Sequence, residues 1–480
     1  MLDIFPKREP PPISREDLLE GVSFDDVDRK ATEVPDDKLD TFESLVEYLT
    51  KDIDEPLLKL RALFIWLGNQ NILKTDYGNV ESDTPKGMLQ AIKEDFDYNH
   101  ILDKLCRFAD IPCSLIEGRQ RLLPDDGDKL ANQPSAWCAV FVKGWRFVVP
   151  NRCFLGLFGD NTGKNWQKVE QDGLRTQEND PVLSEYRHIF EEYFFLMDPS
   201  SMIYFYRPNN DKWQLLKTPI SEALFMSQPC VFPSFFESGL QLRKGQLAEV
   251  KAQHGHANIV LRTTEEDWSD RLLYTLYFRT GQEKEFPATI SADKYVILSN
   301  PDLKGEISIE VRFPVEGIYR LNFQLQSKFH RTFLKFILKC EDAKFKCKPL
   351  PLTPEIGWGP GKEAKQIGIK DISHTDGIIH TKASEDLNIE FKVNPGTTIS
   401  TRYLTTTKPA NDQEMKKRVK TRVRNGDVHI WVNLIDGEGV IEISAKKKGS
   451  NEPTQNVINY LVSTEETPKR LKLKEVNTAC

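Results

Sequence analysis

The residues that could carry catalytic or metal chemistry are eight cysteines and eight histidines, spread over 480 residues. The cysteines form no CxxC pair and mostly lie in apolar stretches, which predicts reduced, buried thiols. They are Cys106, Cys113, Cys138, Cys153, Cys230, Cys340, Cys347 and Cys480. His254 and His256 lie close together, but no cluster at ligand spacing completes a site, so a surface turn is favoured. The sequence therefore predicts no metal and no cofactor.

A basic stretch is the second group of reactive side chains, and its cations alternate with Val419, Thr421 and Val423. Its members are Lys416, Lys417, Arg418, Lys420, Arg422 and Arg424. The alternation predicts a half-exposed strand with one solvated face. Docking of this surface on an acidic partner, such as a filament or an anionic membrane, is the alternative. The net charge of −7 excludes a polycation that wraps nucleic acid.

The elements that must position these residues change type along the chain. Thr41 is suited to cap a first helix, Pro56 lies in the first turn of a second, and residues 95–108 place their apolar side chains on one face. After residue 110, apolar and polar residues alternate, which predicts strands. Residues 41–220 are therefore expected to form an α+β domain, with helices first and a sheet after them.

The following residues are predicted almost entirely as β-structure. Two blocks, 230–342 and 345–465, favour β-sandwiches of roughly 110 residues each. In the first block Tyr319 is a candidate tyrosine corner, and in the second Asn425-Gly426 predicts a two-residue hairpin.

The two ends of the chain lack these patterns. Residues 1–40 are Pro-rich and then acidic and are predicted to be a flexible tail; residues 466–480 are predicted to be a polar tail. No apolar run approaches the roughly 18–20 residues of a membrane helix, and the first residues lack a secretory-signal pattern. A soluble, multi-domain, cytoplasmic protein is expected.

The order of patterns over residues 45–460 resembles the kyphoscoliosis peptidase (hillarin) family. The resemblance rests on ALFIWLGNQ within the second helix, LCRFADIPC, SAWCAVFVKGWRFVV, and most specifically WQLL, PIS and FFESGL in succession. It implies an α+β transglutaminase-like (papain-like) domain followed by two immunoglobulin-like β-sandwich domains. It also implies a cytoskeletal association and protein partners.

The family's nucleophile has no counterpart at the matching position. When Tyr98 is aligned on the Tyr of the family's Cys-x-Gly-Tyr, Asp95 stands where the nucleophilic Cys belongs and Asp97 where the Gly belongs. Asp95 would keep a favourable contact with the helix dipole but supplies no thiol.

The other two members of the triad are also replaced. Alignment of Ala136-Trp137 on the family's Ala-Trp puts Ser135 at the position of the base His, and Val149 falls where the orienting Asp belongs. Serine cannot act as a base near neutral pH, and valine orients nothing. A catalytically inactive protein, a pseudoenzyme, is therefore expected.

The expected function is that of a protein-binding scaffold. A groove beside the third helix is predicted to bind an extended peptide without cleaving it, and its residues are Asp95, Asp97, Tyr98, Ser135 and Trp137. Two other functions stay open. One is a cysteine peptidase or transamidase that uses a displaced thiol, Cys106 or Cys138, with His100; the other is a structural oligomer built through sandwich edges.

Overall fold

The structure, a computed structural model, describes most of the chain. The described residues are 5–78, 80–94, 97–121, 132–158, 166–169, 175–177, 185–264, 272–279, 281–287, 291–301, 305–325, 332–343, 347–350, 354, 356–382, 385–405, 412–447 and 453–464. Their helices are α1 (Arg15–Leu19), α2 (Asp25–Thr32), α3 (Phe42–Thr50), α4 (Pro56–Gly68), α5 (Pro85–Ala91), α6 (Asn99–Phe108), α7 (Pro150–Phe154), α8 (Pro199–Met202), α9 (Glu222–Ser227), α10 (Pro233–Glu237), α11 (Lys362–Ile367) and α12 (Asp412–Lys417).

The strands follow the first six helices. They are β1 (Cys113–Arg121), β2 (Asn132–Phe141), β3 (Trp145–Val148), β4 (Leu155–Phe158), β5 (Trp166–Val169), β6 (Arg175–Gln177), β7 (Glu185–His188), β8 (Tyr206–Pro208), β9 (Cys230–Val231), β10 (Leu240–Leu242), β11 (Glu249–Lys251), β12 (His256–Thr263), β13 (Leu272–Arg279), β14 (Val296–Leu298), β15 (Glu306–Arg312), β16 (Gly317–Leu325), β17 (Thr332–Cys340), β18 (Gly359–Pro360), β19 (Ile378–His380), β20 (Leu387–Lys392), β21 (Thr397–Thr405), β22 (Val419–Arg424), β23 (Asp427–Val432), β24 (Glu438–Lys447) and β25 (Gln455–Ser463). Short 3-10 helices span Asp36–Leu39, Glu192–Phe194, Asp211–Gln214 and Ala292–Tyr295.

The chain divides into two compact units. Of the described residues, unit 1 comprises those within 5–158 and 185–228, and unit 2 comprises those within 166–177 and 229–464. Strands β5 and β6, which the sequence predicted within the first domain at residues 41–220, therefore belong to unit 2. Strand β5 pairs there with β13 and carries the buried Trp166.

Unit 1 is built from helices packed on an antiparallel sheet of order β3-β2-β1-β8. Thr41 caps α3, because its hydroxyl accepts the backbone N–H of Ser44, and four residues of that helix are buried. Helix α4 begins with Pro56 and is buried almost all round, so it forms the centre of the core. Helix α6 contacts both β1 and β2, which fixes its position on the sheet.

The predicted flexible tail at residues 1–40 is wrong for the residues that the structure describes. Ser14 caps α1, and Leu18 and Ala31 belong to the buried core of unit 1. Asp28 of α2 forms an ion pair with the buried Arg61 of α4, at 2.6 Å. Helices of five and eight residues are too short to show a clear apolar period, which is why the pattern was missed.

The first block of unit 2 contains two sheets. Their strand orders are β10-β12-β15-β14 and β11-β17-β16-β13-β5-β6, with β9 on β17. Strand β12 alternates buried and exposed residues, as expected for a strand with one face on a core. The hydroxyl of Tyr319 donates to the carbonyl of Val315 at 2.6 Å, and its ring is buried, which confirms the tyrosine corner.

The second block of unit 2 is a sandwich of a five-stranded and a three-stranded sheet. The sheet β18-β25-β24-β21 also pairs with β19 through β25, and it shares one apolar core with the sheet β20-β23-β22. Strands β22 and β23 are joined by Asn425-Gly426, both with positive φ (53° and 91°). This is the two-residue turn that the sequence predicted.

A buried charge network joins the two blocks. The guanidinium of Arg312 on β15 contacts Glu438 on β24, with Nη1 2.8 Å from Oε1. Arg312 also donates to Glu310 at 3.3 Å, and His256 lies 3.2 Å from the same Glu310 oxygen. Burial raises the pKa of Glu310. The hydrogen bond from His256 and the charge of Arg312 outweigh this effect and lower the pKa to about 2.

Candidate functional site at the start of helix α6

The candidate site lies where the start of α6 meets β2 and the start of α7. Tyr98 precedes α6, and its backbone N–H donates to Asn151 Oδ1 of α7 at 2.9 Å. Asn99, the first residue of α6, donates through Nδ2 to the carbonyl of Ala136 on β2 at 3.2 Å. These two bonds hold the three elements together at one corner of the sheet.

Of the three residues that the sequence alignment puts at the triad positions, Ser135 and Val149 can be located. Asp95 lies outside the described residues; α6 begins at Asn99, so the helix starts later than the sequence predicted. Ser135 is half-buried on β2 and pairs with Gly118 of β1. Val149 is buried directly before α7, and its N–H donates to the carbonyl of Phe194 at 3.1 Å. Neither described residue can accept a proton from a nucleophile at neutral pH.

Sequence reasoning missed the two asparagines that occupy this corner. Asn99 is buried, and both its backbone N–H (2.9 Å) and its Nδ2 (2.6 Å) donate to Asp97 Oδ1. Asn151 accepts the N–H of Tyr98 from a position 53 residues away. The Asp97-x-Asn99 spacing is a local signal for such a turn, whereas the Asn151 contact is visible only in the folded chain.

The predicted peptide groove loses two of its five residues in the structure. Tyr98 and Trp137 are fully buried. The centre of the Trp137 ring lies 5.3 Å from that of the Tyr206 ring, so the face of β2 opposite α6 is covered as well. Asp97 and Ser135 are half-buried, and Asp95 lies outside the described residues. A peptide docked here could therefore contact Asp97 and Ser135 but not the two aromatic rings.

The predicted buried thiols are confirmed for the described part of the chain. Its seven cysteines are free; six are buried and Cys347 is half-buried. Burial raises the pKa of Cys138 well above its ordinary value, and its Sγ lies 3.5 Å from the carbonyl oxygen of Asn99. Cys138 thus lies near the start of α6 as a protonated donor.

Cys113 differs from its neighbours. Hydrogen bonds from Cys106 and Cys138 lower the pKa of Cys113 to about 6, although burial and Asp103 raise it. The bond to Cys113, followed by burial, raises the pKa of Cys106 well above its ordinary value. The three thiols, on α6, β1 and β2, therefore influence one another's protonation.

The predicted basic surface divides between two elements. Lys416 and Lys417 end α12, whereas Lys420, Arg422 and Arg424 are exposed on β22, an edge strand. Arg418 is half-buried and donates to Asn433 Oδ1 at 2.6 Å, so it is not part of an open face. Opposite β22, the rings of His429 and Trp431 stack 5.6 Å apart.

The remaining features considered in the sequence are the histidine pair and membrane-spanning helices. His254 lies in a turn with a positive φ of 53°, and within the described ranges no group of His, Cys, Asp and Glu is arranged to hold a metal ion. None of the helices in those ranges is long and apolar enough to cross a membrane.

Comparison with known proteins gives related chains. Residues 222–351 match the KY-like, immunoglobulin-like domain family. The chain is 28% identical to hillarin of Drosophila melanogaster, covering 80% of this chain and 48% of hillarin. It is 26% identical to the Lim and transglutaminase domain protein ltd-1 of Caenorhabditis elegans, covering 78% and 53% of the two chains. With kyphoscoliosis peptidase of Mus musculus the identity is 22%, covering 87% and 58%.

These matches confirm the resemblance that the sequence motifs indicated. The chain spans about half the length of the curated relatives it matches.

Proposed function

We propose that this chain, a relative of hillarin, ltd-1 and kyphoscoliosis peptidase, is a catalytically inactive transglutaminase-like protein that serves as a protein-binding scaffold in the cytoplasm. Its unit 1 would be the transglutaminase-like (papain-like) part and its unit 2 the immunoglobulin-like part. The relationship to hillarin favours a cytoskeletal partner.

The observation that carries this proposal is the polar closure at the start of α6. A thiol-dependent site needs a thiolate at a helix start, an imidazole beside it and a carboxylate that orients the imidazole. Here the helix start is bonded to Asn151 and Ala136, and Val149, the residue that the alignment puts at the carboxylate position, is buried. The asparagines satisfy backbone and side-chain groups that a substrate would otherwise meet.

The nearest thiol does not supply a substitute nucleophile. Cys138 is fully buried and its pKa is raised, so it stays protonated at neutral pH. His100 is exposed, and its Nε2 lies 3.8 Å from Asp97 Oδ2, on the outer side of α6. A general base directed at Cys138 is therefore lacking among the described contacts.

The test is thiol labelling and amine incorporation on the purified chain. Among the seven described cysteines, iodoacetamide at pH 7 is expected to modify the half-buried Cys347 first, because it is the most exposed, and the unit 1 thiols only slowly. A Cys347→Ser variant removes that background, and mass spectrometry identifies the modified sites. No incorporation of a labelled amine into a glutamine-containing protein is expected from either form.

One specific observation favours an alternative, a cysteine peptidase or transamidase with a displaced thiol. Hydrogen bonds from Cys106 and Cys138 lower the pKa of Cys113, which is 6% exposed, so a thiolate is favoured at this position over its two neighbours. Fast labelling of Cys113, together with amine incorporation that a Cys113→Ala variant abolishes, would overturn the pseudoenzyme proposal.

The scaffold role is proposed to use the basic edge of unit 2. Within the described contacts Lys420, Arg422 and Arg424 have no ion-pair partner, and they lie on one side of an exposed edge strand. Cosedimentation with purified cytoskeletal filaments is expected to weaken several-fold in Lys420→Glu/Arg422→Glu and at raised salt. The matched control is Lys392→Glu, which changes a cation already paired with Asp371. Equal binding by both variants would contradict the proposal that this edge strand binds filaments.

A further inference from the structure

The Pro-rich residues 5–13 lie on an aromatic surface of unit 1. They form neither helix nor strand. The ring of Phe5 stacks on Trp145 with centroids 6.0 Å apart, and the Arg8 guanidinium lies 4.5 Å from the centre of the Trp213 ring. The two tryptophan rings meet edge to face at 5.1 Å. The segment thus contacts a preformed pair of indoles.

The hydrogen bonds to this segment reach its backbone. Trp145 Nε1 donates to the carbonyl of Pro6 at 3.2 Å. The buried Arg146 donates through Nη2 to the carbonyl of Ile13 at 2.5 Å, and it is itself paired with Asp198. Because these donors contact carbonyl groups, they would serve any chain that runs along the same line.

The three consecutive prolines fit a glycine in the turn between β2 and β3. Gly144 has a φ of +125°, and a Cβ placed there would lie 2.9 Å from Pro12 Cδ and 3.1 Å from Pro11 Cα. Proline fixes its own φ and pushes the preceding residue into the extended region, so Pro10 to Pro12 favour a polyproline II conformation. Aromatic surfaces with a backbone donor are how proteins recognise such segments.

We propose that the surface formed by Trp145, Trp213 and Gly144 is a recognition site for extended Pro-rich segments of partner proteins, occupied in this chain by its own residues 5–13. Side chains near both ends of the occupying segment remain accessible to solvent. Phe5 is 52% exposed and Ile13 38% exposed. A partner segment with an aromatic residue, a basic residue and consecutive prolines carries the same groups and displaces it.

Residues 5–13 are covalently joined to the rest of unit 1, and this connection determines how often they occupy the site. A short flexible connection gives an effective concentration on the order of 1 mM. If the isolated segment binds with a Kd of about 100 µM, the site is occupied in cis roughly nine-tenths of the time, and an external peptide binds about tenfold more weakly than to an open site.

The experiment uses the full-length chain and a fluorescein-labelled peptide with the sequence of residues 5–14, FPKREPPPIS. In the variant Phe5→Ala/Arg8→Ala the cis segment loses both ring contacts, and the peptide is expected to bind about tenfold more tightly than to the unaltered chain. Lys7→Ala is the matched control, because Lys7 is exposed and contacts Glu9 alone among the described ion pairs. A peptide in which the three consecutive prolines, Pro10 to Pro12, are changed to alanine is expected to bind at least tenfold more weakly.

Two results would overturn the proposal. Absence of peptide binding to Phe5→Ala/Arg8→Ala at 1 mM, with its circular dichroism unchanged, would mean that residues 5–13 are only a structural strap. Equal binding to that variant and to Lys7→Ala would mean that the site is not closed in cis. Neither result depends on whether the start of α6 is catalytically inactive, because the peptide contacts β3 and Trp213 instead.

Discussion

Removal of the Arg312 charge should loosen the connection between the two blocks of unit 2. Arg312 is 5% exposed and Glu438 is 8% exposed, so Arg312→Met leaves a buried carboxylate without its 2.8 Å partner. Breaking a buried ion pair in this way costs about 3–5 kcal/mol, which is on the order of a 10²- to 10⁴-fold shift in a local opening equilibrium. The double variant Arg312→Met/Glu438→Leu removes both charges and should recover most of that loss.

Hydrogen exchange read by mass spectrometry measures this opening in peptides that cover β15 and β24. The matched control is Arg262→Met, because Arg262 pairs with Glu306 at 2.7 Å in the same sheet but is 49% exposed. That surface pair should be worth about 0–1 kcal/mol, so exchange in the control should rise less than about tenfold. If Arg312→Met and Arg262→Met raise exchange equally, or if the double variant is as open as the single one, the buried-charge reasoning fails.

Three further changes test other features. The pKa of Glu310 is lowered from 4.5 to about 2, so its ionised form stabilises unit 2 by about 3 kcal/mol above pH 4.5, and this contribution is lost as the pH falls toward 2. His256→Ala removes a hydrogen bond that lowers this pKa, so the variant should unfold in acid at a higher pH. Tyr319→Phe leaves the Val315 carbonyl without its donor and should cost about 1–2 kcal/mol, seen as a lower urea midpoint, whereas an unchanged midpoint would deny the corner a role in stability. Leu18→Ala should cost about 2–5 kcal/mol in unit 1, because Leu18 is buried in the core; a flexible tail would show no change in denaturant unfolding.

Local chemistry explains what the sequence predicts well. Thr41 caps its helix through its own hydroxyl, and Asn425-Gly426 forms its turn because those residues tolerate positive φ. Tyr319 was recognisable because its partner carbonyl is only four residues away. Each of these features needs few or no contacts beyond its own segment.

Contacts distant in sequence explain what the sequence could not predict. Asn151 reaches Tyr98 only after β1, β2 and β3 have folded between them. The Pro-rich residues 5–13 suggested a free tail, because their contacts are distant in sequence: Pro11 and Pro12 lie against Gly144, Phe5 stacks on Trp145, and Arg8 lies over Trp213. The alternation that marks Trp137 as a strand residue does not reveal that both faces of its strand are covered.

The position of β5 and β6 in unit 2 has a consequence for synthesis of the chain. Gln167 of β5 pairs with Phe278 of β13, which is made about 110 residues later. At roughly 5–20 residues per second on the ribosome, the hairpin waits on the order of 5–20 s before its partner strand emerges. During that interval Trp166 has no core to enter, and a chaperone has time to bind it. A fragment limited to residues 222–351 would leave the β13 edge bare and is expected to self-associate through it.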